Sequence, residues 1–129
     1  MDFNIEEIAN LRMIINDYIE GSATANVDLL ESIFHSNALM SGYFPNPDTG
    51  LMEANISSPQ PFFNMLASAP STPGDGNYRA EITHLAIQGS TAVATLVENN
   101  LFGVNFIDNF QLLKDNGRWQ IIAKLFHVF

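Results

Sequence analysis

The chain has 129 residues, 47% of them hydrophobic and only 15% charged, and no cysteine. That is the size and composition of one globular domain spanning 1–129, and it excludes intrinsic disorder, disulfides and thiolate metal sites. Five bases against fourteen acids leave a formal net charge of −9, a field that repels nucleic acid and anionic membranes, so neither is expected as a partner.

The opening Met1-Asp2-Phe3-Asn4-Ile5-Glu6-Glu7 has neither the basic nor the apolar region of a signal peptide. No apolar run approaches the roughly 20 residues of a membrane helix. The expectation is a soluble, cytoplasmic protein.

In chain order, Phe3, Asn4, Glu7 and Ile8 stand as staple, cap and capping-box partners. Ile5, Ile8, Leu11, Ile15 and Ile19 recur at helical spacing, and Gly21 stands where a helix-ending glycine belongs. A helix over about residues 5–20 follows. Asn26 caps a shorter helix with Leu29, Leu30, Ile33 and Phe34 on one stripe, ending near Ser36-Asn37. Leu39 to Phe44 reads as a strand stopped by the Pro45-to-Gly50 turn cluster, and Leu51 to Ile56 as its return. Ser58-Pro59 opens a third helix carrying Phe62, Phe63 and Leu66, and Ala69 to Gly76 is a loop.

From Asn77 onward the period changes to that of strands: Tyr78–Gln88, Thr91–Phe102, Val104–Lys114 and Arg118–Val128. Gly89-Ser90 and Asn116-Gly117 are two-residue hairpin turns, the second the stronger because a type I′ turn needs positive φ at both positions. Helices followed by an antiparallel meander define an α+β fold.

Counting outward from a two-residue turn at Asn116-Gly117 pairs Asp115 with Arg118 and Asp108 with Leu125. One face then carries Phe106, Asp108, Phe110, Leu112, Trp119, Ile121, Ala123, Leu125 and His127, nearly all apolar. The other carries Ile107, Leu113, Ile122, Lys124, Phe126 and Val128 among polar residues. The first set is expected to pack beneath the helices, the second to face solvent or another subunit. On the apolar face Asp108 and His127 are diagonal neighbours, about 7–8 Å apart. An acid and an imidazole in that setting need partners or a water-lined cavity, and such a carboxyl suits general acid–base work.

Each has a structural alternative: Asp108 satisfying a buried backbone or tyrosine group, His127 lying in the core or frayed at the surface. A bulge in either strand moves residues to the opposite face. His84, alternating with Ile82 and Ala86, reads as a core histidine, and His35 as a partner of its helix dipole. The same counting from Gly89-Ser90 sets Glu81 opposite Glu98, an unfavourable pairing unless the register shifts or Lys124 or Arg79 intervenes. No nucleotide-binding glycine loop, Gly-x-Ser-x-Gly elbow, His-Glu-x-x-His or calcium loop appears. The three histidines have no metal-ligand spacing, so no metal or cofactor is expected.

The segment Phe106-Ile-Asp-Asn-Phe-Gln-Leu-Leu-Lys-Asp-Asn-Gly-Arg-Trp-Gln-Ile-Ile-Ala-Lys-Leu-Phe-His127 resembles the C-terminal hairpin of the family called putative lumazine-binding proteins. The Phe34-His35 helix end and the strand Thr91-Ala-Val-Ala-Thr-Leu-Val-Glu98 fit the same pattern. That family belongs to the nuclear-transport-factor-2-like superfamily, with SnoaL-like cyclases and ketosteroid isomerase. The resemblance implies a cone: a curved antiparallel sheet wrapped around a long N-terminal helix, with a pocket at the open end and a homodimer through the sheet's outer face. The family's Asp falls on Asp108 and its terminal Lys and Phe-His on Lys124, Phe126 and His127. Asn109 replaces the family's tyrosine, and Ser36-Asn37 its Pro-Asp.

Three readings stay open. The first is a small-molecule-binding cone lined by Phe106, Asp108, Phe110, Trp119, Leu125 and His127, with Tyr18 or Tyr43 contributing. The second is an isomerase, dehydratase or cyclase with Asp108 as base and His127 or a tyrosine as its partner. The third is a non-catalytic dimerisation module.

Overall fold

The computed structural model describes residues 2–69 and 71–129, apart from the side chains of residues 2–4 and 75. Helix α1 runs Asp2–Thr24 and α2 Val27–Ile33. Strands β1 (Phe34–Pro45) and β2 (Met52–Ser57) form a hairpin, followed by α3 (Gln60–Ser68) and a single 3-10 turn, Pro73–Asp75. Four strands complete the chain: β3 (Arg79–Gln88), β4 (Thr91–Leu101), β5 (Val104–Asp115) and β6 (Arg118–Val128).

The strands make one curved, unclosed sheet in the order β2-β1-β6-β5-β4-β3. All neighbours are antiparallel except β1 and β6, so the last strand enters the middle of the sheet beside the first. Leu11, Ile15 and Tyr18 form one stripe of α1 and pack, fully buried, on Ala94, Leu96, Phe110, Leu112 and Ile121 of the sheet. This is the expected α+β cone, with one parallel junction.

Several boundaries moved for identifiable reasons. Helix α1 begins before Asn4, and the staple and cap expected of Phe3 and Asn4 lie outside the described side chains. Gly21 does not end it: the left-handed residue is Ala25, at φ 54°. A Cβ on Gly21 would stand 2.7 Å from Leu30 Cγ, so the glycine serves the close approach of α2 instead. Asn26 caps α2 as expected, its side chain accepting from Leu29 N at 3.2 Å. That helix ends earlier than its apolar stripe implied, because Phe34 leaves it to pair with Ile121.

Two bulges matter most. The β5–β6 ladder begins as counted, Asp115 opposite Arg118 and Leu112 opposite Ile121, and then shifts by one residue at Ile122. Beyond it Phe110 faces Lys124, Asp108 faces Phe126 and Ile107 faces His127. In the β3–β4 ladder a shift between Ile82 and His84 sets Ala80, not Glu81, opposite Glu98. It also turns His84 outward, correcting the core-histidine reading, while Leu85 and Ile87 take the inner positions.

Candidate functional site

The inner face of β4 alternates strictly: Ala92, Ala94, Leu96 and then Glu98 are buried. On β5 the inward series is Phe106, Asp108, Phe110 and Leu112. Glu98 lies opposite Phe106, and Asp108 opposite Leu96, so the two carboxyls are diagonal neighbours on the concave side. The bulge at Ile122 delivers Lys124 to the same face. All three are nearly sealed from solvent, Asp108 and Glu98 at 0% exposure and Lys124 at 4%.

Lys124 Nζ donates to the Tyr18 hydroxyl at 2.6 Å and stands 3.7 Å from Asp108 Oδ1, an ion pair longer than a hydrogen bond. Around the ammonium lie the rings of Tyr18, Phe62, Phe106 and Phe126, at 4.8–5.8 Å from their centroids. Aromatic faces at such distances attract a cation. Tyr78 donates to Glu98 Oε2 at 2.5 Å. Neither oxygen of Asp108, nor Glu98 Oε1, has a well-formed hydrogen bond among the described residues.

Lys124 is ion-paired to Asp108, and Glu98 adds a second buried carboxyl beside it, in a setting that penalises net charge. Burial pushes the Asp108 carboxyl well above the ordinary carboxylate range; the Lys124 charge pulls the other way and the Glu98 charge adds to the rise. Burial likewise raises the Tyr18 and Tyr78 phenols, reinforced by Glu98, and keeps both protonated.

Beside this cluster opens a cavity of about 380 Å³ between the β1–β2 hairpin, α3, the β4–β5 turn and β6. Its walls include Met40, Phe44, Phe62, Leu101, Phe106 and Phe126, and its buried charged lining residue is Lys124. Phe44, Phe106 and Phe126 form one group, Phe44 stacked on Phe106 at 6.1 Å and Phe126 edge-on to both. Gly42 on β1 makes room for this group, since a Cβ there would meet the Phe126 ring and carbonyl at 2.5 Å.

The expected site residues divide accordingly. Phe106 lines the cavity, and Asp108 is buried one lysine away from it. Phe110, Trp119 and Tyr18 belong to the core beneath, with Tyr18 touching Lys124. His127 and Leu125 are on the outer face, Leu125 58% exposed, because the Ile122 bulge reverses every side chain after it. Tyr43 is also outside, at 63% exposure. So Asp108 meets Lys124, not His127. His35 is half-buried in β1, its Nδ1 accepting from Asn37 N at 3.0 Å.

Counting from the turn missed Lys124, Glu98 and Tyr78. Glu98 was findable, since it continues the period of Ala92, Ala94 and Leu96. For Lys124 the signal was the unbroken apolar run Ile121-Ile122-Ala123, where alternation fails. Among the described residues no three His, Asp or Glu side chains converge as metal ligands, and no helix is long and apolar enough to cross a membrane.

A profile of the family described as "Putative lumazine-binding" matches residues 6–127. Among solved structures, an NTF2-like protein of unknown function from Shewanella baltica is 23% identical, with 97% of this chain and 95% of that one aligned and a TM-score of 0.83. A ketosteroid isomerase-like protein from Erwinia carotovora atroseptica aligns over 96% and 97% at 16% identity, with a TM-score of 0.68. A protein from Streptomyces avermitilis described as a putative dehydratase of the NTF2-like family aligns over 98% of each chain at 12% identity, with a TM-score of 0.69. At these identities the likeness is one of fold. A comparison with curated proteins gives no match.

Proposed function

The chain belongs to that putative lumazine-binding family of NTF2-like proteins, and from this premise we propose that it binds a small, mainly apolar molecule whose acidic or acceptor oxygen meets Lys124. One observation carries the reading: a cavity of about 380 Å³, walled by aromatic and aliphatic side chains, has one buried cation, Lys124, among the described residues of its lining. Ligand sites are typically of this size, mostly apolar with few convergent polar groups. The preference for an anion or a carbonyl follows from the ammonium, whose well-formed hydrogen bond among the described residues is to Tyr18, leaving N–H donors for a ligand.

The test is thermal denaturation with naphthoate and with its cationic analogue naphthylmethylamine. Ligands that bind only the native state raise its apparent stability. Naphthoate raises Tm in the wild type and not in Lys124→Met; equal shifts with the amine, or a shift that survives Lys124→Met, reject the reading.

Homodimerisation through the outer face of the sheet is part of the same proposal. Val93, Leu113 and Leu125 are exposed apolar residues on that face. A monomer by light scattering at working concentration rejects it. An isomerase or dehydratase chemistry, of the kind suggested by the descriptions of two structural neighbours, is less well supported with Asp108 as base. Its carboxyl holds its proton tightly and is separated from the cavity by Lys124.

A further inference from the structure

Three features of the buried cluster are not needed for simple binding: a primary amine at the cavity wall, one carboxyl more than that amine requires, and three carboxyl oxygens without a well-formed hydrogen bond among the described residues. We propose that Lys124 is a nucleophile that condenses with the carbonyl carbon of an apolar aldehyde or ketone in the cavity to form an imine. This rests on the binding reading above and narrows its ligand class.

The chemistry balances within the cluster. Lys124 is a primary amine, and lysines in apolar pockets serve as Schiff-base nucleophiles. With Asp108 already protonated, the ammonium passes one proton through Asp108, whose Oδ1 is 3.7 Å from Nζ, to the carboxylate of Glu98 beside it. This replaces separated charges by neutral groups, which an apolar interior favours. The freed nitrogen lone pair attacks the carbonyl carbon, and the C=O π pair moves to oxygen. Tyr18, 2.6 Å from Nζ, takes a proton from nitrogen as it gives its own to that oxygen, leaving a carbinolamine. The carboxyl pair then returns its proton, the C–O bond breaks and water leaves. The product is an iminium on Lys124, with the carboxyl pair restored. No oxidant or reductant is consumed.

The aromatic rings fit the product as well as the starting state. An iminium keeps the positive charge at the position that Tyr18, Phe62, Phe106 and Phe126 surround. The spare carboxyl acquires a use as the proton store that water departure needs. Burial, which holds the Asp108 proton, supports that role.

The chain suits a direct test because Lys114 and Lys124 are its two lysines. Lys114 provides the internal control: it is a third exposed and ion-paired to Glu7 at 2.9 Å. The full-length protein is treated with naphthaldehyde and cyanoborohydride, and the reduced adduct is located by peptide mass spectrometry. One adduct is expected on Lys124, ahead of Lys114 and the terminal amine. It is lost in Lys124→Arg, which keeps the charge, and slowed roughly a hundredfold in Asp108→Asn. Labelling of Lys114 and the amino terminus with Lys124 untouched overturns the proposal.

Should Lys124→Arg not fold, the wild type still decides it. Where naphthoate raises Tm it must also protect Lys124 and leave Lys114 labelling unchanged, and binding without protection overturns the proposal. Naphthoate binding without an adduct rejects the amine chemistry alone. An adduct on Lys124 without naphthoate binding rejects the anion preference alone.

Discussion

The concave face of the β5–β6 hairpin is largely buried on both sides of Ile122, yet the two halves are made differently. Toward the turn, Leu112, Trp119 and Ile121 are packed against the helices as a dry core. Beyond the bulge the same face carries Asp108, Phe106, Lys124 and Phe126, with Glu98 beside them on β4. Apolar burial needs no partner and tolerates close packing. Buried charges are stable only as a set, so Lys124, Asp108, Glu98 and the two tyrosines depend on one another as Leu112 and Ile121 do not. The cavity opens on the charged half. One bulge thus separates a stabilising region from a site.

The comparison can be broken first at Lys124. Lys124→Met leaves two buried carboxyls without their cation, and chemical denaturation should record a loss of about 3–5 kcal/mol. Adding Glu98→Gln to that variant should recover part of the loss, which a purely packing role for the lysine would not allow. In the dry half, Leu112→Ala should cost about 2–5 kcal/mol by leaving a cavity, while the naphthoate-induced rise in Tm persists. Loss of that rise would mean the halves are not separable.

A pH series sharpens the contrast. Asp108 holds its proton more tightly folded than unfolded, where its value is near 3.8. Its contribution to stability is therefore complete below that value and is lost as pH rises toward the elevated folded value. Within that window each pH unit should remove up to about 1.4 kcal/mol from the wild type relative to Asp108→Asn. Parallel stability curves for the two proteins would place the retained proton elsewhere. The smallest effect is expected at His127, which is exposed on the outer face. His127→Ala should change stability by less than about 0.5 kcal/mol and leave naphthoate binding intact, as measured by the same melts.

Much of the architecture was legible because it rests on local rules. Of the series Ile5, Ile8, Leu11, Ile15 and Ile19, the spacing marks Leu11 and Ile15 on the buried stripe, which Tyr18 completes, whereas Ile5 and Ile8 lie beyond the core and stay exposed. Asn116 and Gly117, at φ 51° and 75°, are residues that tolerate the left-handed region the turn demands, so the first pairings of the hairpin held. Asp108 was placed on the inner face because its own strand alternates without interruption from Phe106 to Leu112.

What alternation alone could not settle was its own failure. A bulge adds one residue to one strand, and its position depends on how two strands and the curved sheet beneath them fit together. Alternation from the turn holds for residues 118–121 and assigns everything after Ile122 to the wrong face. The sequence by itself therefore determined the α+β class, the turn at Asn116-Gly117 and an inward Asp108, and the family resemblance implied the cone. Only the tertiary structure decided that its neighbour is Lys124 rather than His127, because a one-residue shift in a period of two exchanges the two faces of a strand.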